Sequence, residues 1–148
     1  MTHPRRLGRY ELLEQLREGG MGAVWLARLT GAHGFEKLVI VKTVLAALAK
    51  DQDFVSRFLH EGRVLTQLNH ANIAAVYDLG EDAGTLYLAL EYVPGVDLAR
   101  LHEAVKARGE RVPVPVALFI GQQLCEGLGA AHRAWARRTG PGRTTARR

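Results

Sequence analysis

The chain has very little cysteine and no long apolar run, and each shortage excludes a class of protein. Cys125 is the only cysteine among 148 residues, so the chain cannot close a disulfide within itself and does not look like a disulfide-stabilised secreted domain. No stretch approaches the roughly 18 consecutive apolar residues typical of a membrane-spanning helix. No apolar segment follows the basic start MTHPRRLGRYELL either. We therefore expect a cytoplasmic protein without a signal peptide or a membrane segment.

Acidic residues are missing from one end of the chain only. Residues 133–148 hold six arginines and no acidic residue, and these six account for the net charge of +5. Without them, 14 basic residues face 15 acidic ones, so the rest of the chain is nearly neutral. Apart from Trp135, no aromatic residue lies among the arginines, whereas single-stranded nucleic acids are held largely by bases stacked on aromatic side chains. We expect no nucleic-acid partner, and we expect residues 136–148 to form a disordered basic tail.

The composition of the whole chain, 47% apolar and 24% charged, is typical of a globular protein with one core. Residue patterns predict five strands, at 9–16, 23–29, 38–45, 72–81 and 85–93. A helix is predicted over 51–70, where apolar residues recur at helical spacing and Asp51 or Asp53 can cap the start. Two more helices are predicted over 97–108 and 115–135. The expected fold class is α+β, with a five-stranded antiparallel sheet covered by one helix and followed by two helices.

A glycine-rich turn, LREGGMGAV at 16–24, joins the first two predicted strands. Three of its residues are glycines, namely Gly19, Gly20 and Gly22. Glycine is the usual residue of tight hairpin turns because it tolerates positive φ. A bare backbone can also approach phosphates closely and offer them its N–H groups. The turn alone leaves both interpretations open.

Lys42 lies inside the apolar strand LVIVKTVL, on the same face as Ile40 and Val44 by the alternation of side chains. A lysine on a half-buried face needs a partner for its charge. Glu61 is the candidate, because it lies on the apolar stripe of the predicted helix. The alternative is a lysine that extends its ammonium to solvent and a glutamate unrelated to it.

In their order along the chain, these motifs resemble the protein kinase family, and in particular the bacterial serine/threonine kinases of eukaryotic type. LREGGMGAV resembles the glycine-rich loop, VIVK at 39–42 the Val-Ala-Ile-Lys strand, and Glu61 the glutamate of helix αC. NHANI at 69–73 resembles the connection after αC, LALEYVPGVDL at 88–98 the hinge, and GLGAAH at 127–132 the end of helix αE. The resemblance runs from about residue 9 to residue 133.

The resemblance implies a kinase-like N-lobe with its hinge over 9–93, and a partial C-lobe with helices αD and αE over 94–135. It implies ATP as the nucleotide, magnesium in a full-length relative, and a protein serine or threonine as phosphoryl acceptor. Lys42 would position phosphates and Glu61 would hold Lys42. The implied nucleotide contacts, with Leu90 as gatekeeper, are Leu16, Gly19, Gly20, Gly22, Val24, Ile40, Lys42, Leu90, Glu91 and Val93.

Four positions depart from the family pattern. Arg17 stands where the first loop glycine belongs and brings a bulky charge beside the nucleotide, and Ile40 occupies the small position above adenine. Ala71 replaces the usual proline. Gly62 lies inside the predicted helix, at a cost of about 1 kcal/mol relative to alanine. None of the four excludes a kinase N-lobe.

Aspartate is absent after Asp97, and asparagine is absent after Asn72. In the family, the catalytic base and the aspartate and asparagine that bind magnesium all follow helix αE. We therefore expect no metal site and no phosphoryl transfer by this chain alone, and interpret it as a truncated or frameshifted kinase piece. The alternative is a non-catalytic, pseudokinase-like module that binds a kinase or a regulator. In either case the apolar stripe of the αE-like helix is expected to be exposed.

Overall fold

The computed structural model describes residues 5–20, 22–45 and 47–139, and it leaves out the side chains of Glu61, Val64 and residues 137–139. The chain divides into two compact units. One unit contains the chain up to Asn69 together with Ala74–Val93, and the other contains His70–Ile73 together with the helices that follow Pro94.

The first unit is an antiparallel sheet with one α-helix and two 3-10 helices of three residues each, Ala32–Gly34 and Leu48–Lys50. Along the sheet, the six strands follow the order β1-β2-β3-β4-β6-β5. Their bounds are Arg6–Leu7 (β1), Tyr10–Gly19 (β2), Gly22–Thr30 (β3), Glu36–Thr43 (β4), Val76–Asp82 (β5) and Thr85–Glu91 (β6). All five predicted strands are present, with shifted ends, and the α+β class is confirmed.

The sheet has one strand more than the five predicted. β1 contains two residues, too few to show alternation in the sequence. Gly8, at a φ of 56°, turns the chain so that Leu7 pairs with Tyr10. The N–H of Gly8 donates to the carboxylate of Asp82 at 2.7 Å. The extra strand thus depends on a partner far away along the chain.

The sheet curls, because Tyr10 on β2, the second strand in the order, donates its hydroxyl hydrogen to Asp78 on the last strand, β5, at 3.1 Å. The guanidinium of Arg9 lies 3.2 Å from the same carboxylate. Burial raises the pKa of Tyr10 to about 12, against the opposing effect of its hydrogen bond with Arg9. The curled sheet encloses a core of Leu7, Tyr10, Leu12, Ala27, Val39, Val41, Tyr87 and Ala89.

Helix α1 spans Gln52–Leu65 and follows β4 in the chain. Asp51 caps its start, because its Oδ1 accepts from the N–H of Asp53 at 2.9 Å and from that of Phe54 at 3.1 Å. Of the two predicted capping candidates, Asp51 is therefore the one that makes these bonds.

The helix ends at Leu65 rather than at the predicted residue 70. Thr66 donates its hydroxyl hydrogen to the carbonyl of Arg63 at 3.0 Å, and this bond competes with a further helical turn. Gly62 is buried, and a Cβ at this position would lie 2.7 Å from a terminal carbon of Leu79 on β5. The glycine therefore lets α1 approach the sheet closely, which accounts for a residue that otherwise weakens a helix.

The second unit contains helices α2 (Leu98–Ala107) and α3 (Val114–Thr139). Asp97 caps α2, because its carboxylate accepts from the N–H of Arg100 at 2.8 Å. Asn72 donates its side-chain N–H to the carbonyl of Gln123 on α3 at 3.0 Å. Residues 70–73 therefore belong with α3, and the strand predicted to begin at residue 72 begins only at Val76.

Helix α3 continues past its predicted end at 135 and runs through the first residues of the predicted tail; the tail after Thr139 lies outside the described residues. Large apolar side chains remain exposed along it, as expected, at Val114, Val116, Leu118, Phe119, Leu124, Leu128 and Trp135. By length and composition Val114–Ala136 could cross a membrane, a test that core helices of soluble proteins also pass. Polar residues interrupt this stretch, so it contains no long unbroken run of apolar residues.

Candidate functional site

One face of the sheet brings together most of the strand residues predicted to contact a nucleotide. Directly paired residues in an antiparallel ladder share a face of the sheet. Val24 on β3 pairs with Lys42 on β4, which pairs in turn with Leu88 on β6. In the next row, Ile40 pairs with Leu90. We call the surface formed by these five residues the lysine face.

The expected half-buried face is present, because Ile40 is partly buried and Leu88 is buried, but Lys42 itself is exposed. Its strand neighbours Val39 and Val41 are fully buried in the core, and Lys42 therefore points away from the core. It lines a cavity of about 460 Å³ together with Phe54 and Phe58 of α1. The cavity lies between sheet and helix and leaves the lysine accessible to a ligand.

The predicted partner of Lys42, Glu61, lies in α1, but its side chain lies outside the described part of the structure. Phe58 and Leu65, which are three residues before and four residues after position 61, both line the cavity that Lys42 lines. Helix position 61 therefore belongs to the helix face that borders this cavity. The ion pair between Lys42 and Glu61 stays a prediction.

The hairpin between β2 and β3 contains two kinds of glycine. A Cβ at Gly19 or Gly20 would meet no atom within 4 Å, and neither residue has a positive φ. Gly22 has a φ of 146°, and a Cβ there would overlap the carbonyl oxygen of Thr43. The fold therefore requires glycine at position 22, whereas Gly19 and Gly20 leave bare backbone open to a ligand.

Thr43 connects this hairpin to the strand that carries Lys42. Its hydroxyl oxygen accepts from the N–H of Ala23 at 3.4 Å and donates to the carbonyl of Ala23 at 3.3 Å. Neither Thr43 nor Leu88 is among the site residues predicted from the sequence. Leu88 could have been found by counting two residues back from the predicted gatekeeper Leu90, whereas nothing local indicates the role of Thr43.

Strand β2 contains a bulge just before the glycines. The pairing of β2 with β3 shifts between Gln15 and Arg17, which leaves Leu16 as the extra residue. Leu16 is half exposed, at 43%. After the bulge, Arg17 pairs with Val24 and so joins the row of Lys42 on the lysine face.

The predicted hinge residues follow the lysine face along β6. The N–H of Glu91 donates to the carbonyl of Ala75 at 2.8 Å, and its carboxylate accepts from the N–H of Ala75 at 3.0 Å. Glu91 thereby fixes the end of β6. Val93 comes two residues later and is exposed.

Comparison with known proteins assigns these features to one family. Residues 10–135 match the protein kinase domain. Over 125 residues the chain is 38% identical to the tyrosine-protein kinase MasK of Myxococcus xanthus, covering 84% of this chain and 19% of MasK. It is 41% identical over 138 residues to the serine/threonine-protein kinase PknB of Mycobacterium tuberculosis, covering 90% and 21%. The chain spans about a fifth of the length of these curated relatives.

A solved structure of similar fold is the kinase domain of Mycobacterium tuberculosis PknI. It matches with a TM-score of 0.70 and 28% identity, covering 90% of this chain and 52% of the solved chain. These likenesses confirm both the family resemblance and the fold predicted from the sequence.

Proposed function

Because the chain belongs to the protein kinase family, we propose that it forms the ATP-binding portion of a protein serine/threonine kinase. The observation that carries this proposal is the lysine face, where apolar Val24, Ile40 and Leu90 lie beside the exposed Lys42. An adenine ring packs well on apolar side chains, and a triphosphate needs a cation close by. The hairpin glycines add bare backbone N–H groups, which suit phosphate oxygens.

In this proposal each predicted site residue has one role. Lys42 contacts the phosphates, Glu61 holds Lys42, and the hairpin covers the nucleotide. Leu90 is the gatekeeper, and the backbone from Glu91 to Val93 meets the edge of adenine. Residues 9–93 then form the N-lobe with its hinge, and residues 94–135 form part of the C-lobe.

Binding, rather than phosphoryl transfer, is the chemistry we assign to these 148 residues. They contain no aspartate after Asp97 and no asparagine after Asn72. Among the residues that the structure describes, no group of three or more His, Cys, Asp or Glu side chains could hold a metal ion. The 148 residues therefore lack the aspartate and asparagine that follow helix αE and hold magnesium in the family. We propose that transfer to serine or threonine requires residues beyond this stretch of the fold.

We also propose a cytoplasmic location. Most of α3 lies within the region that matches the kinase domain. That match supports a role for α3 as a C-lobe helix rather than as a membrane span.

Titration calorimetry with ATP and with adenosine tests the proposed site. Lys42→Gln should lower the affinity for ATP about tenfold or more, because hydrogen bonds to charged groups contribute about 1.5–3 kcal/mol. It should leave the affinity for adenosine unchanged. Lys37→Gln is the matched control: Lys37 lies on the same strand but on the opposite face, where its ammonium donates to Tyr77 at 2.7 Å. Equal ATP binding by Lys42→Gln and wild type, or no binding of either ligand by wild type, would refute the proposal.

A second candidate function is a non-catalytic module that binds a kinase or a regulator. Val114 and Leu128 on α3 are each 70% exposed, and exposed apolar patches often mark protein interaction sites. Sedimentation of the chain mixed with a purified bacterial kinase domain tests this function. We expect a complex that is weakened by Leu128→Ser and unaffected by Lys42→Gln. The absence of any complex would argue against this second function.

A further inference from the structure

We propose that Arg17 is a second phosphate-binding cation of this site, which allows the chain to bind ATP without magnesium. This inference rests on the proposed function, because it concerns the same nucleotide. It assigns a role to the position where the sequence departs most from the family's glycine-rich loop.

The strand register carries the argument. Arg17 pairs with Val24, and Val24 pairs with Lys42, so the three residues form one row across β2, β3 and β4. Their side chains share one face of the sheet. Neighbouring strands lie about 4.8 Å apart, which puts the backbone of Arg17 about 10 Å from that of Lys42. Both cationic side chains are long, so both can reach the phosphates of a nucleotide whose adenine packs on the lysine face.

β2 shifts its register against β3 twice, between Leu12 and Glu14 and between Gln15 and Arg17, and the pairing after the second shift fixes the face of Arg17. Gln15 pairs with Trp25, whose row continues to the fully buried Val41 on the core side of the sheet. Without the extra residue Leu16, the alternation of side chains would give Arg17 the same orientation as Gln15. With the bulge, Arg17 moves into the row of Lys42.

The chemistry of arginine suits this role. Its guanidinium remains charged at any relevant pH and presents a planar fork of donors that matches phosphate oxygens. The side chain of Arg17 is exposed to solvent. In a complete kinase, magnesium neutralises much of the triphosphate charge. Because these residues lack the family's aspartate and asparagine ligands for magnesium, we assign that charge to the chain's own cations.

Titration of the 148-residue chain with ATP in excess EDTA, and separately with adenosine, tests the inference. Arg17→Gln should weaken magnesium-free ATP binding about tenfold, as expected for the loss of one charge-assisted contact, and leave adenosine binding unchanged. Arg17→Lys should recover part of the loss, because lysine keeps the charge without the fork. Arg63→Gln, which removes an exposed arginine from α1, is the matched control and should have no effect.

The outcomes separate this inference from the proposed function. If wild type binds ATP and Arg17→Gln binds it with the same affinity, the role of Arg17 is overturned and the proposed site remains intact. Wild type that binds neither ATP nor adenosine overturns both. An equal loss of ATP and adenosine binding in Arg17→Gln indicates a disturbed hairpin and also overturns the phosphate role. Thermal unfolding of each variant checks that the fold is unchanged.

Discussion

Replacing Gly22 by alanine should destabilise this fold more than the same change at any other glycine of the β2–β3 hairpin. Two costs add at this position. Its φ of 146° is a conformation that residues with a Cβ rarely adopt, and forcing such a residue there costs about 1–3 kcal/mol. The new methyl group would also overlap the carbonyl oxygen of Thr43, and relieving such an overlap by a backbone shift costs about 1–3 kcal/mol. We expect a total loss of about 3 kcal/mol.

Two other glycines separate these costs. Gly34 has a φ of 77°, but a Cβ there would meet nothing within 4 Å, so Gly34→Ala should cost only the strained backbone, about 1 kcal/mol. Gly19 has neither strain nor a close neighbour, and Gly19→Ala should be neutral or stabilise by up to about 1 kcal/mol.

Urea denaturation of the three variants, with the m-value checked for constancy, measures these differences. The expected order of destabilisation is Gly22, then Gly34, then Gly19. If Gly22→Ala is as stable as Gly34→Ala, the overlap with the Thr43 carbonyl adds no measurable cost to the free energy of unfolding. The reasoning about the hairpin would then be refuted.

Two further changes test the fold around the site. Because burial raises the folded-state pKa of Tyr10 from 10.0 to about 12, its contribution to stability is complete below pH 10 and is lost as the pH rises to 12. The free energy of unfolding of wild type, compared with that of Tyr10→Phe, should fall by about 3 kcal/mol over this range; parallel curves would contradict the raised pKa. Asp51→Ala should lower the free energy of unfolding by about 1 kcal/mol, since Asp51 caps α1. Asp51→Asn should lower it by much less, because asparagine is also a good capping residue. Equal losses in the two Asp51 variants would show that capping does not stabilise α1.

The order of strands and helices was predictable because the signals are local. Alternation every two residues marked the strands, and apolar residues at helical spacing marked α1. The same alternation placed Lys42 with Ile40, away from Val39 and Val41, and the register confirms that arrangement. What the pattern could not give was the exposure of Lys42, because exposure depends on how α1 lies over β4 across the cavity.

The amino-acid sequence by itself determined the elements, their order and the residue types available to a nucleotide, because each of these depends on residues that are close together in the chain. The tertiary structure alone decided the features that depend on distant partners. The carboxylate of Asp82 supports the added strand β1, Leu79 accounts for the buried Gly62, and the carbonyl of Thr43 requires glycine at position 22. The two register shifts of β2 that precede Arg17 belong to the same class, because a register shift exists only between two paired strands.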